Sequence, residues 1–233
     1  MEIFSLEGWY FLLRWFHFLA GITWIGILYY FNFVQTPFFA TELGGQARSA
    51  VVRGLVPNAL WWFRWGAMIT FLTGWLIILT KVGHDHVMMN SGYMTRILTG
   101  GLMGTLMWAN VWFVIWPAQQ VVIANATNVA AGGAADPTAA ARGARSGVAS
   151  RTNTLFSIPM LFFMGSASHF TALADGTNVG AYWLCALIAM LAVEGNIFFG
   201  SAASQKPLST VSGTLHAGFV LAIVLYLLMV VIL

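Results

Sequence analysis

The chain has 233 residues, 59% of them hydrophobic and only 7% charged, with 11 Trp, 18 Phe and a formal net charge of +3. Soluble domains carry roughly 25% charged residues, so this composition excludes that class and predicts an all-α, polytopic integral membrane helix bundle surrounded by membrane lipid. The single cysteine, Cys185, excludes a disulfide framework and a CxxCH haem-attachment motif, and the small positive charge needs no nucleic-acid partner because a sidedness bias of basic residues accounts for it.

The opening segment MEIFSLEGWY carries Glu2 and Glu7 but no basic n-region, and the apolar run after it is too long for a signal sequence, so residues 9–30 are expected to persist as a helix. About 20 apolar residues cross a bilayer. Windows of that length fall at 9–33, 59–80, 96–116, 153–174, 179–200 and 209–233, predicting about six transmembrane helices. The stretch 117–131 is able to carry the third helix beyond the membrane. Residues 131–150, AGGAADPTAAARGARSGVAS, are small and Gly-rich. They read as an extramembrane loop joining two three-helix halves, 9–130 and 151–233, of a single membrane domain spanning 1–233. Arg48, Arg53, Arg142, Arg145, Arg151 and Lys206 fall on one side of this topology, against Lys81 and Arg96 on the other. The positive-inside rule puts the first set in the cytoplasm, and both termini and the HDH at 84–86 on the opposite side.

Polar groups inside the spans are costly unless partnered, which makes each a candidate site. His17 in the first span and His169 near the end of the fourth fall at comparable depth from the same face. Gly21 follows His17 by four residues and Gly165 precedes His169 by four, so in helices of opposite direction each glycine lies one turn deeper than its histidine. That arrangement suits a flat macrocycle between two axial imidazoles, and low-spin, non-covalent b-type haem has that shape. Trp24 and Met164 are expected to line the pocket, and Arg14 to meet a haem propionate. The competing reading is a histidine that only bonds a neighbouring helix. Glu194 and His216 fall at similar depth near the cytoplasmic face and are expected to pair, as a proton relay or quinone site or as a structural contact; His216 is also the alternative second haem ligand.

At the inner interface, VPNALWWFRWGAM carries Arg64 and RTNTLFSIPMLFFMG opens with Arg151. Such arginines either anchor helices or form an anion site, since guanidinium planes stack on flat rings and grip oxyanions. Asn58, Asn153 and Ser157 supply further donors and acceptors.

The blocks WFHFLAGITWIGILYYFNFVQTP, NALWWFRWGAMITFLTGW, VWFVIWPAQQ and RTNTLFSIPMLFFMGSASHF resemble the membrane domain of the bacterial cytochrome c-linked urate oxidase family, from about residue 9 to 200. The resemblance implies an enzyme of purine catabolism in the bacterial inner membrane. It oxidises urate to 5-hydroxyisourate and passes electrons to a c-type cytochrome, which in the family is fused at the C-terminus. This sequence stops at Leu233 without CxxCH, so a separate periplasmic cytochrome c is the expected partner. Arg64, Arg151 and Glu194 are the expected catalytic set. The alternative is a non-catalytic haem-binding or bracing subunit of a larger electron-transfer complex. More distantly, Arg14, His17, Trp24 and Gly26 are similar to the first helix of the membrane-bound protoporphyrinogen oxidase family, a resemblance that implies haem ligation by His17.

Overall fold

Ser5 opens the first helix by accepting a hydrogen bond from the Gly8 backbone amide, satisfying one of the donors that a helix start leaves free. The computed structural model describes residues 2–170 and 178–233. After a short 3-10 turn at Glu2–Phe4, α1 runs over Leu6–Tyr29, passes through a π-helical turn at Tyr30–Gln35 and ends in α2, Thr36–Phe39. Then come α3, Glu42–Gly54, and α4, Val56–Gly83. The next helix, α5 at Gly92–Ala109, continues through a second π-helical turn at Asn110–Ile115 into α6, Trp116–Ala130. The chain closes with α7, Ala139–Ser166, α8, Val179–Phe199, a short α9 at Ala202–Gln205 followed by a 3-10 turn at Lys206–Ser209, and α10, Val211–Ile232.

Five stretches among the described residues are long and apolar enough to cross a membrane: Leu6–Phe39, Val56–Gly83, Gly92–Ala130, Val179–Phe199 and Val211–Ile232. The continuous Gly92–Ala130 helix would be about 58 Å long at 1.5 Å per residue, nearly twice the hydrocarbon core, so its second half extends beyond the apolar layer, as the sequence suggests. The expected fourth span, 153–174, falls on α7 and then on residues 171–174, which lie outside the described ones. Its described part is too polar to meet the same measure, because protein rather than lipid surrounds it. Thr152, Asn153, Thr154, Phe156, Ser157 and Phe163 are all fully buried. α7 packs against α5, α6 and α10. One apolar core therefore runs through both halves, with Trp24, Phe63 and Met107 from the first and Phe156, Met190 and Leu225 from the second. The loop expected at 131–150 is shorter than its composition suggests, since α7 is already helical at Ala139.

Both π-helical turns end two residues before a proline. Pro37 and Pro117 have no amide hydrogen, and in a regular helix each ring would press on the carbonyl four residues back. The wider turn moves that carbonyl away, and the Thr36 and Trp116 amides instead bond Phe31 and Val111, five residues back. Pro159 interrupts α7 in a different way. Its missing amide leaves the Leu155 carbonyl without its usual helical donor, and α10 closes on that place through Gly218, where an added Cβ would lie 2.9 Å from the Leu155 carbonyl oxygen. Gly218→Ala should therefore destabilise the bundle by about 1–3 kcal/mol, the usual cost of overpacking, measured as a lower melting temperature in detergent. The same Cβ would also press on Ile158 Cδ1, so trimming Ile158 should restore only part of the loss, because the Leu155 carbonyl oxygen is backbone and stays in place.

At the other end Asp85 ties α1 to α4. Its carboxylate accepts from the Lys81 ammonium at 2.6 Å, the Tyr10 hydroxyl at 2.9 Å and His84 Nδ1 at 3.2 Å. The Lys81 hydrogen bond, with smaller help from Tyr10 and His84, lowers the Asp85 pKa from 3.8 to about 2. A depressed folded-state pKa means that the contribution of Asp85 to stability is complete above its ordinary value and lost as pH falls through about 2. Melting curves of wild type and Asp85→Asn should differ at pH 7 and converge between pH 4 and pH 2.

Candidate functional site

His17 is half-buried on the α4 side of α1. Its Nδ1 lies 3.0 Å from the Thr73 hydroxyl, and that hydroxyl donates its own hydrogen to the Ile69 carbonyl at 2.7 Å. Thr73 must therefore accept from Nδ1–H, which leaves the Nε2 lone pair free. This is the tautomer of an Nε2 metal ligand held by an outer hydrogen bond. Gly74 makes the placement possible, since a Cβ there would come within 3.0 Å of the imidazole Cε1. Neither Thr73 nor Gly74 stands out in the sequence. The packing of α1 on α4 is what brings both to His17.

The other residues expected around a haem are dispersed. His169 is exposed just before the undescribed segment, and its Nδ1 lies 2.8 Å from the Gly165 carbonyl of its own helix. His216 is exposed on α10, 3.4 Å from Ser212 Oγ. A Cβ at Gly165 would meet nothing within 4 Å, and one at Gly21 would only touch Thr70 at 3.9 Å. Trp24 is buried in the core with its Nε1 unpartnered, while Arg14 is exposed with its guanidinium 5.8 Å from the Tyr10 ring. The residues present thus fit one axial imidazole, at His17. They do not set His169 or His216 against it through any described contact.

Glu194 and His216 do not form the expected pair. The Glu194 carboxylate accepts from Asn110 Nδ2 at 3.0 Å, and the second hydrogen of that amide goes to Asn153 Oδ1 at 2.9 Å. Asn153 in turn donates to the Met107 carbonyl at 2.9 Å. Asn110 sits at the start of the second π-helical turn, so the backbone irregularity and the polar contact between α8 and α7 coincide.

Arg64 and Arg151 have different surroundings. The Arg64 guanidinium lies 3.9 Å from the ring centroid of Trp116, 4.9 Å from Trp112 and 5.5 Å from Trp65, and its Nε has no hydrogen-bond partner among the described residues. Aromatic faces hold this cation where a carboxylate otherwise would, an attraction worth about 2 kcal/mol when desolvated. Arg64→Ala should lower stability by about that amount, read as a reduced melting temperature and a red-shifted tryptophan emission.

Arg151, by contrast, lines a cavity of about 840 Å³ at the end of the bundle where α3 lies. Its guanidinium is held at the wall by the Leu208 carbonyl, 3.4 Å away. Asn32 and Ser150 meet there, Asn32 Nδ2 donating to Ser150 Oγ at 2.8 Å, and Gln119 adds a further amide. Phe31 and Phe63 give the same cavity flat apolar walls. Above it Ser157 donates to the Thr154 carbonyl at 2.7 Å and so accepts from the Tyr29 hydroxyl at 2.8 Å. Among the described residues no histidine lines this cavity.

A family profile described as urate oxidase N-terminal matches residues 75–230, more than half of the chain, from the end of α4 to α10. Arg151 and Glu194 fall inside the match, whereas His17 and Arg64 precede it. Neither a curated protein nor a solved structure matches the chain.

Proposed function

From the chain's membership of the urate oxidase N-terminal family, we propose that it is a membrane oxidoreductase that oxidises urate and passes the electrons to a cytochrome c. The observation that carries this reading is the 840 Å³ cavity, which combines the Arg151 guanidinium, the Asn32 and Gln119 amides and the aromatic faces of Phe31 and Phe63. Ligand pockets of this size are common for small molecules, and few, well-placed polar groups on an apolar wall are what fixes the orientation of a flat heterocycle. Guanidinium forms paired hydrogen bonds with adjacent oxygen or deprotonated nitrogen atoms, so Arg151 suits the urate monoanion.

Oxidation of urate to 5-hydroxyisourate adds water and releases two electrons and two protons, which two one-electron acceptors such as cytochrome c would take up. Within this reading Arg151 binds and orients the anion, Asn32 and Gln119 contact the ring substituents, and the phenyl walls limit access of bulk water. A b-type haem, when bound, would supply one-electron storage, and His17 Nε2 is the group that would hold its iron. Thr73 would then act through His17 as a positioning residue.

Urate-dependent reduction of added cytochrome c by membranes containing the protein is the direct test. Arg151→Lys keeps the charge but loses the planar fork, and should lower kcat/KM by about tenfold at equal expression. His17→Ala should remove a b-type haem spectrum that His84→Ala leaves intact. Absence of urate-dependent reduction in wild type would overturn the reading.

A further inference from the structure

The cavity wall holds two more cations besides Arg151, and neither belongs to a membrane-spanning helix. Arg48 comes from α3, and Lys206 opens the 3-10 turn after α9. Among the described residues no carboxylate lines the cavity. Both ion pairs among the described residues belong to Asp85, at the opposite end of α4. Arg48 is oriented by Phe39, whose ring centroid lies 5.6 Å from its guanidinium carbon. Three like charges therefore converge on one space without a counter-charge from the described chain. Such an arrangement raises the local concentration of anions and is relieved when one binds.

We infer that Arg48 and Lys206 are substrate-binding cations that act with Arg151 on a flat heterocyclic anion in this cavity. The inference rests on the reading of the cavity as the urate site. A compact tetrahedral anion would satisfy its charge at one guanidinium and leave the partly exposed Phe31 wall in contact with water. A ring with delocalised charge covers the walls and meets cations on several sides. Arg48 and Lys206 are exposed and stand on the short segments bordering the cavity, whereas Arg151 is half-buried on the central helix. The first two attract and retain the anion; Arg151 fixes its orientation. Counted by sidedness alone, Arg48 and Lys206 are merely two basic residues of connecting segments.

The test is equilibrium binding of radiolabelled urate and of hypoxanthine, a flat purine that is neutral at pH 7, to the detergent-purified full chain. The variants are Arg48→Gln, Lys206→Gln and, as a control on the same helix as Arg48, Arg53→Gln, each accepted only at wild-type melting temperature. Arg48→Gln and Lys206→Gln should each raise the urate Kd by about fivefold, the scale expected of exposed charge contacts. The effect should shrink in high salt. Arg53→Gln should leave urate binding unchanged, and hypoxanthine binding should be unaffected by all three. Urate binding in wild type that neither Arg48→Gln nor Lys206→Gln weakens would overturn this inference and leave the proposed function standing. Failure of wild type to bind urate would overturn both. Displacement of urate by phosphatidylglycerol, with equal loss of that lipid's binding in the two variants, would reassign the cations to a lipid headgroup and overturn the inference.

Discussion

Hydrocarbon offers no hydrogen bonds, so a bundle in lipid has to satisfy its polar groups within itself. The helix most governed by that constraint is α7. It carries Thr152, Asn153, Thr154 and Ser157 in consecutive turns, a sequence that would be costly against lipid, and the fold encloses it with α5, α6 and α10. Once it is enclosed, its polar side chains become the connectors of the structure. Asn153 reaches the Met107 carbonyl and, through Asn110, Glu194; Ser157 receives Tyr29; Ser150 receives Asn32. Together these join α7 to α5, to α8 and, at two levels, to the first helical stretch. The lipid-facing helices then need only apolar exteriors, which explains why large side chains such as Phe18, Ile22 and Val231 are exposed.

The same constraint gives the two proline-linked π-helical turns a consequence beyond backbone accommodation. An extra residue in a turn rotates the helix on its N-terminal side relative to the helix on its C-terminal side, and in both cases a buried asparagine lies within the widened turn: Asn32 in the first and Asn110 in the second. Each directs its amide toward α7. A regular helix with the same residues would place one end of each span about a third of a turn differently, so the aspect of α1 that meets Ser150 and the aspect of α5 that meets Asn153 both depend on the irregularity. π-turns recur at functional sites for this reason, and here Phe31, Asn32 and Ile115 of these turns lie on the cavity wall.

Five of the six expected spans are legible because long apolar runs have few alternative explanations. The α7 start was not: Ala139 to Ser150 contains small residues that read as a loop, although alanine and arginine are strong helix formers and the segment simply lacks an apolar face. α3 escaped for a related cause, being too polar and too short to span. Matching histidines by depth sets His17 against His169, but depth says nothing about which way a side chain faces. Thr73 and Gly74 claim His17, and Asn110 claims Glu194, through helix contacts that one-dimensional spacing does not encode. Arg64 and Arg151 share an interface in the sequence yet differ in fate, because three tryptophans surround one and an open cavity adjoins the other.

Distance finally separates the two candidate centres. His17 on α1 and the first cavity-lining residue of the π-helical turn that continues it, Phe31, are fourteen residues apart along one helical stretch, about 21 Å of rise. A ligand held by Arg151 therefore cannot touch the His17 imidazole. If one reaction uses both places, the link between them is transfer through the protein and not contact, and the intervening helix faces are those of Trp24, Leu28 and Phe63, all buried in the common core. Helical rise then sets the separation between the centres, and the short α1–α4 approach at Gly66, where a Cβ would lie 3.1 Å from the Trp24 amide nitrogen, keeps the core between them closely packed. Structural and functional demands on this pair of helices are in that sense the same demand.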